Sequence, residues 1–355
     1  MSPFSIPPRD AFAAKLKPDG SAMIWATFLG GAGDDAAQSI AFDSSGNVWI
    51  DGTTSSATFP NANGWMQNGG DFLVELSSSG SALSYSARFP AGAAAQSVAV
   101  DVNGAVHLAG SSGLVSVLTP GQPFPFALFG ITNAAGGPVA GRVSPGELIA
   151  LYGPHIGPPA PVNATVDSAG FIPKTLGGVQ VVIDNLLAPL LYVSDTQINA
   201  IVPFELPAGD STAIQIVKNG SATPTFRASA DVTSPGIFLN PDGSAAAINQ
   251  DGTLNSQLNP AKSDSIVSIW VTGTGAVYAA QDGQVLTTAQ DYYCCQVQAN
   301  YQAADVLYAG ASPGLVAGIT QINFRVPEQS STGQVTLTIT AGGRTSPSAT
   351  IFVAQ

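Results

Sequence analysis

The stretch LLYVSDTQINAIVP at residues 190–203 has a close relative, VLYAGASPGLVAGITQINFRVP, at residues 306–327. Both begin with Leu-Tyr, pass through a loop to Thr-Gln-Ile-Asn, and end on Val-Pro. Successive side chains of a strand point to opposite faces, so Ile198 and Ile322 face away from the amides beside them. Proline cannot continue a central ladder, so we expect Val-Pro to end each strand. The repetition predicts two similar β-rich halves.

The same duplication extends on both sides of this motif. SPGELIALYGPHIG at 144–157 pairs with SDSIVSIWVTGTG at 263–275, and GVQVVIDNLLAPLLY at 178–192 pairs with CCQVQANYQAADVLY at 294–308. Val, Ile and Leu alternate with polar residues between Pro- and Gly-rich turns, without helical periodicity. This pattern predicts a small β-sandwich of immunoglobulin type in each half.

A second, shorter repeat occupies the beginning of the chain. The segment that starts at Phe12 aligns with the one that starts at Phe72, and SIAFDSSGNVWIDGTT from Ser39 aligns with SVAVDVNGAVHLAGSS from Ser97. LVSVLTP at 114–120 begins a third copy. About four short strands around Asp-Gly, Ser-Gly and Asn-Gly turns are typical of a β-propeller blade, whose faces need neighbouring blades to bury them. We therefore predict two blades and one strand of a third.

These motifs carry two family resemblances. The segment DAFAAKLKPDGSAMIWATFLGGAGDDAAQSIAFDSSGNVWIDGTTSSATFP resembles the SBBP-type β-propeller repeat of bacterial exported proteins. ITNAAG, RVSPGELIALYG, SPGIF and the returning TQINFRVP resemble the Solibacter-type C-terminal domain of secreted acidobacterial proteins. The resemblances imply architecture and export. The predicted fold is all-β, with incomplete propeller-like blades at 1–122 and tandem immunoglobulin-like sandwiches at 123–240 and 241–355.

Composition limits the classes of partner. Only 10% of the 355 residues are charged, the net charge is −12, and no Lys/Arg cluster could neutralise a phosphate backbone, which excludes nucleic acid. No apolar run reaches the roughly 18 residues of a membrane span, so we expect no membrane insertion. MSPFSIPPRDAF lacks the basic and apolar regions of a signal peptide. We expect an extracellular or cell-surface protein whose export signal lies outside this chain.

The polar residues of the opening motif are candidate site residues. They are Tyr192, Gln197, Asn199, Tyr308, Gln321 and Asn323. We predict a structural role, in which the amides bond backbone groups of the preceding Leu-Tyr loop, because both halves carry the same set. The alternative is a sugar-binding face.

Catalytic and metal-binding patterns are sparse. The histidines His107 and His155 have no Cys, Asp or Glu at triad or ligand spacing, and no HExxH, P-loop or GxSxG occurs, so we predict no enzyme and no cofactor. Packing is favoured for His107 and a loop hydrogen bond for His155. Asp34 and Asp35 could bind calcium through their oxygens, but tight-turn chemistry explains acidic residues in such segments more simply.

Cys294 and Cys295 are adjacent. Neighbouring Cα atoms lie about 3.8 Å apart, below the usual disulfide range, and a regular strand sends adjacent side chains to opposite faces. We therefore expect two separate thiols, one packed and one more exposed, that form a candidate thiol site.

The predicted function is that of a noncatalytic, exported structural or interaction protein that self-assembles at the cell surface or in extracellular material. Two explanations of the incomplete propeller compete: these residues are a fragment of a longer propeller, or copies of the chain complete it. Head-to-tail or strand-exchange contacts between copies, the explanation we favour, would give rings, filaments or tubes. The alternative is a carbohydrate-binding or adhesion module with a polysaccharide partner.

Overall fold

The computed structural model describes residues 8–62, 70–89, 96–110, 115–118, 126–136, 141–275, 280–328 and 332–354. Every regular element within these residues is a β-strand, which confirms the predicted all-β class. In this part of the chain no helix has the length and apolar character that crossing a membrane needs. The chain divides into two compact units. The first is Met1–Gly130 with Tyr152–His155, and the second is Ile131–Leu151 with Ile156–Gln355.

The first unit is built from short antiparallel strands. They are β1 (Ala11–Leu16), β2 (Met23–Leu29), β3 (Asp35–Phe42), β4 (Val48–Thr54), β5 (Asp71–Leu76), β6 (Leu83–Phe89), β7 (Ser97–Val100), β8 (Val106–Ala109) and β9 (Val115–Leu118). The sheets have the orders β1-β2, β3-β4-β5-β6 and β7-β8-β9. Each sequence repeat therefore contributes its first two strands to one sheet and its last two to the next. The only complete four-stranded blade among the described strands is β3 to β6.

Asp-x-x-Gly turns set the strand pairing inside the blades. The Oδ1 atom of Asp43 accepts hydrogen bonds from the backbone N–H groups of Ser45 (2.8 Å) and Asn47 (2.9 Å). Gly46 has a φ of 78°, in the left-handed region that favours glycine. Asp101 makes the same turn in the next repeat. These acidic residues serve the hairpins in which they lie.

Apolar side chains fill the space between successive sheets. Ala11, Ala13 and Leu29 of the first sheet pack in one cluster with apolar residues of β4 and β5. Trp49 and Leu73, on the other face of the complete blade, belong to a second cluster with residues of β7, β8 and β9. The sheets therefore stack face to face, as propeller blades do.

The first half of the second unit contains eleven short strands, again among the described residues. They are β10 (Gly130–Asn133), β11 (Arg142–Val143), β12 (Leu148–Tyr152), β13 (Val162–Asn163), β14 (Val179–Ile183), β15 (Leu186–Ala188), β16 (Leu190–Val193), β17 (Gln197–Ile201), β18 (Gly209–Lys218), β19 (Ser221–Ala222) and β20 (Phe226–Ala230). One sheet has the order β10-β12-β17-β16-β13, and the other has the order β11-β20-β18-β14-β15, with β19 beside β18.

The second half repeats these pairings in one continuous sheet. Its strands are β21 (Gly236–Ile237), β22 (Ala247–Asn249), β23 (Ala261–Lys262), β24 (Ile266–Thr272), β25 (Cys295–Ala299), β26 (Gln302–Ala311), β27 (Ile319–Arg325), β28 (Gly333–Ala341), β29 (Arg344–Thr345) and β30 (Ala349–Ala354). The main order is β21-β24-β27-β26-β25-β28-β30-β23. Long β26 pairs with β27 at one end and with β25 at the other, so both parts of the sheet enclose one core.

Pairing by pairing, the two halves correspond. Strands β12, β17 and β16 neighbour one another as β24, β27 and β26 do, and β18 lies between β14 and β20 as β28 lies between β25 and β30. Each half also has one parallel pair, β11 with β20 and β23 with β30. The duplicated sequence thus gives a duplicated strand order. The immunoglobulin label and the boundaries at 122 and 240 stay predictions.

A buried carboxyl group lies where the two halves of the second unit meet. Glu147 is fully buried, and its Oε2 accepts hydrogen bonds from the N–H (2.7 Å) and the hydroxyl (3.2 Å) of Ser144. Its Oε1 lies 3.4 Å from the Ser234 hydroxyl. The next residue, Leu148, donates its N–H to the Thr272 hydroxyl at 2.8 Å. Burial raises the pKa of Glu147 to about 8, despite these hydrogen bonds, so the carboxyl is protonated at neutral pH.

Glu147→Gln should remove a pH dependence of stability. Because the folded pKa lies above the unfolded one, the wild-type free energy of unfolding falls as pH rises from about 4.5 to about 8, by at most about 5 kcal/mol. The glutamine keeps the shape and stays neutral, so its advantage over wild type should grow across that range. Urea unfolding at several pH values measures this. The exposed Glu205→Gln is the control, and parallel profiles for wild type and Glu147→Gln would contradict the assignment.

Candidate functional site

A row of large apolar side chains is exposed on the first sheet. Phe12 of β1 and Phe28 of β2 are cross-strand partners, with 67% and 79% of their surfaces exposed. Leu16 and Ile24 are also more than half exposed. We call these four residues the open blade face. Such a contiguous apolar surface marks a contact site more often than an inert one.

The internal repeat shows what normally covers this face. Phe72 of β5 is the counterpart of Phe12, and it is fully buried beneath the β1–β2 sheet. Leu76, the counterpart of Leu16, is 3% exposed for the same reason. The two positions differ in environment because one has a sheet stacked on it and the other does not. Among the described residues no sheet lies on the open blade face, whereas a sheet covers the equivalent positions of the next repeat.

At the other end of the stack, the outer face of β7–β9 is exposed as well. Ala99, His107 and Val117 lie side by side across the three strands, and Val117 is 48% exposed. His107 Nε2 lies 3.3 Å from Asp101 Oδ2. His107 thus pairs with a turn carboxylate and is not packed in a core as the sequence predicted. It occupies the position of Trp49, whose face is covered by the next sheet.

The Gln-Ile-Asn motif has the same geometry in both halves. Gln197 Nε2 donates to Asn199 Oδ1 at 2.8 Å, and Gln321 Nε2 donates to Asn323 Oδ1 at 2.9 Å. The isoleucine between each pair is fully buried. We predicted bonds from the amides to the backbone of the preceding loop. The amides instead bond each other, because residues two apart on one strand face the same side.

The tyrosines of the motif are cross-strand partners of its asparagines. Tyr192 pairs with Asn199 in the first half, and Tyr308 pairs with Asn323 in the second. The Tyr308 hydroxyl donates to the Ala311 carbonyl and accepts the backbone N–H of Gln290 (3.1 Å). These bonds fix the Tyr308 side chain within its own half. The motif residues come together, but as two separate copies.

Cys294 and Cys295 form a vicinal disulfide, so the expectation of two separate thiols was wrong. That expectation assumed a regular strand, whereas β25 begins only at Cys295. The preceding Tyr293 has a φ of 51°, which turns the chain immediately before the cysteines. Both cysteines are partly buried against the core of the second half.

The disulfide should be visible chemically. A proteolytic peptide that carries Cys294 and Cys295 should be two hydrogens lighter before reduction than after it. Cys294→Ser/Cys295→Ser should cost less than about 2 kcal/mol of stability, because closing so small a loop restricts the unfolded chain little. Mass spectrometry and urea unfolding measure these effects. Labelling of both thiols in the folded, unreduced protein would refute the bond.

The first unit contains a buried carboxylate that the sequence analysis did not single out. Asp51 of β4 is fully buried, and neither of its carboxylate oxygens has a hydrogen-bond partner. Burial raises the pKa of Asp51 to about 6. The nearby backbone of Ser39, although it makes no well-formed hydrogen bond to the carboxylate, lowers this pKa in part, and the negative charge of Asp71 raises it further. An unpaired buried carboxylate is costly, so Asp51 destabilises this blade when it ionises.

Asp51→Asn should flatten the pH response of this blade. The raised folded pKa means that wild-type stability falls between about pH 3.8 and about pH 6, by at most about 3 kcal/mol. Asparagine does not ionise. The opening free energy of the β4 and β5 amides, measured by hydrogen exchange, should therefore rise in the variant relative to wild type from pH 4 to pH 7. If the difference in opening free energy between the variant and wild type is the same at pH 4 and at pH 7, Asp51 does not titrate between these pH values.

The aspartates considered for calcium have protein partners. Asp34 Oδ1 accepts the backbone N–H of Arg9 at 3.0 Å. Asp35 Oδ2 accepts the Ser56 hydroxyl (2.7 Å) and the Gly31 N–H (2.9 Å). In the described ranges no three His, Cys, Asp or Glu side chains are grouped as metal ligands.

No family model matches the chain, and no curated protein matches it. The SBBP and Solibacter-type resemblances therefore stay predictions, whereas the coarser propeller-like, all-β architecture is observed. The chain is similar to the plexin A4 extracellular region at 10% identity over 64% of this chain and 18% of that one, with a TM-score of 0.22.

Two glycan-binding proteins of known structure are similar to this chain at comparably low identities and TM-scores. Bacteroides ovatus SGBP-B, from a mixed-linkage glucan utilization locus and in complex with a heptasaccharide, is 12% identical over 98% of this chain and 64% of that one, with a TM-score of 0.29. The Prevotella bryantii surface glycan-binding protein PbSGBP-B is 14% identical over 65% and 42%, with a TM-score of 0.19. The chain spans less than two thirds of each of the three structures. At these TM-scores none of them carries an argument about this chain.

Proposed function

We propose that this chain is a noncatalytic interaction protein that associates with further copies of itself through the open blade face. The observation that supports this is the contrast between Phe12 and Phe72, which hold the same repeat position. One is largely exposed and the other is fully buried under a stacked sheet. Covering Phe12 and Phe28 would remove apolar surface from water, worth about 1.5–3 kcal/mol for each side chain.

A second copy is a suitable partner because the first unit has two unlike uncovered faces. The open blade face lies at one end of its stack, and the Ala99, His107 and Val117 face lies at the other. Joining one end to the other is a heterologous contact, which generates rings when the rotation closes and filaments when it does not. Only 10% of the residues are charged, but the net charge of −12 repels a second copy, so the contact depends on burial of the apolar faces.

The noncatalytic part of the proposal rests on the sequence, which lacks a nucleophile with its base. His107, one of the two histidines, pairs with a turn aspartate next to an exposed alanine and valine. The extracellular or cell-surface location and the adhesion role belong to the same proposal. They fit an all-β protein with a weakly charged surface.

Within the described ranges, no observation specifically favours the carbohydrate-binding alternative. Tyr293 and Tyr301 are each 89% exposed and would be the natural stacking rings. They lie at opposite ends of the five-residue strand β25, however, and are separated by roughly 17 Å of extended chain. One sugar ring cannot contact both. Polysaccharide binding therefore stays a prediction from sequence.

Sedimentation velocity tests the proposed self-association. Wild-type protein should sediment faster as its concentration rises through the micromolar range, and Phe12→Ser/Phe28→Ser should stay monomeric because the stacking surface is lost. Leu258→Ser, which removes a side chain that is 91% exposed in the second unit, is the control and should behave as wild type. A wild-type protein that is monomeric throughout, or a double variant that associates equally, would overturn the proposal.

A further inference from the structure

A second uncovered surface lies beside the free edge of β1. Ile40 and Phe42 of β3 are 54% and 60% exposed, although their cross-strand partners Ile50 and Val48 on β4 are each 2% exposed. All four side chains face the β1–β2 sheet. That sheet has two strands. It packs on β4 and approaches the start of β3, where the Asp35 N–H donates to the Arg9 carbonyl, but it leaves Ile40 and Phe42 exposed. We call the free edge of β1 together with Ile40 and Phe42 the blade step.

The next repeat provides an internal control for this surface. Val98 and Val100 of β7 are the counterparts of Ile40 and Phe42, and Val98 is paired in register with Leu108 as Ile40 is with Ile50. Val98 is only 5% exposed, and Val100 packs in the same cluster. The sheet before them has four strands, and its first strand reaches them, since the Val98 N–H donates to the Ser39 hydroxyl at 3.1 Å. The blade step is exposed because, among the described strands, none lies over Ile40 and Phe42.

The edge of β1 shows the same incompleteness. Its counterpart β5 has β4 on one side and β6 on the other, whereas β1 pairs with β2 alone among the described strands. A free edge presents unpaired N–H and C=O groups that can accept another strand. The blade step therefore offers an incoming strand both backbone hydrogen-bonding groups and an apolar surface.

We propose that the blade step binds an antiparallel β-hairpin of the blade type, equivalent to β3–β4. One strand of the hairpin pairs with β1, and the other lies over Ile40 and Phe42. The proposal rests on the proposed function, that this unit acts through sheet contacts, but it names a different surface and a defined occupant. The partner is two short strands with alternate apolar residues, joined by an Asp-x-x-Gly turn.

The existing β4–β5 ladder defines a sequence requirement for that hairpin. Gly52 is the cross-strand partner of Phe72, and a Cβ atom at Gly52 would collide with the Phe72 ring and with the Ala36 carbonyl. Phe12 takes the place of Phe72 at the blade step. The incoming strand therefore needs glycine opposite Phe12, as Gly110 occupies the same position in the second repeat.

A labelled peptide with the sequence of residues 36–54 is the probe, and fluorescence anisotropy with the full chain measures its binding. We expect saturable binding that weakens more than about tenfold when the protein carries Ile40→Asp/Phe42→Asp. The same peptide with Gly52→Val is more apolar, yet it should lose binding, because the added side chain clashes in the blade register. Nonspecific apolar adhesion would not discriminate against it.

The controls separate this inference from the proposed function. Phe28→Ser removes one large side chain of the open blade face and leaves the residues of the blade step unchanged, so it should impair self-association and leave peptide binding unchanged. Absence of peptide binding, or equal binding of the Gly52→Val peptide, would contradict the hairpin proposal. Neither outcome would affect the sedimentation test of self-association. If the peptide fails and Ile40→Asp/Phe42→Asp alters sedimentation, the occupant is a second copy and the hairpin proposal is wrong.

Discussion

The need to cover both faces of a β-sheet governs the first unit. Ala11 and Ala13 are small, so the β1–β2 sheet can approach the complete blade closely enough to bury Phe72. Alanine on one sheet and phenylalanine on the other form the interdigitated contact on which the stack depends. Where that contact is missing, the same repeat positions are exposed. Exposure at these repeat positions thus depends on whether a described strand lies over them, since the residue types at matching positions are similar.

Much of this architecture follows from sequence because periodicity records which face of a strand is buried. Alternation, turn residues and the two repeats predicted the all-β class, the blade-like sheets and the duplicated strand order. The repeat alone could not show that a sheet combines strands from two copies. Strands β4 and β5 belong to different repeats and pair across the boundary between them. The sequence repeat is the same whether a sheet is built from one copy or from two, so it does not predict this pairing.

The sequence analysis missed features that depend on distant residues. Glu147 reads as an ordinary surface acid, and its burial arises only when Ser234 and the second half close around it. An acid directly before the apolar run LIALY was the available signal. Asp51 carried a similar signal, since it sits within a strand of otherwise apolar and small residues. The disulfide was not expected because the Cα separation of neighbouring residues is below the usual disulfide range and because the strand was assumed to include Cys294, one residue before β25 begins.

In each half of the second unit the last strand lies beside a strand from near its beginning. The parallel pairs β11 with β20 and β23 with β30 make this contact, and β10 comes before β11 in its half as β21 and β22 come before β23 in theirs. Because the last strand of a half pairs with an early strand of the same half, that pairing is complete within one copy of the duplicated sequence. A second copy can therefore follow the first by gene duplication without disturbing it.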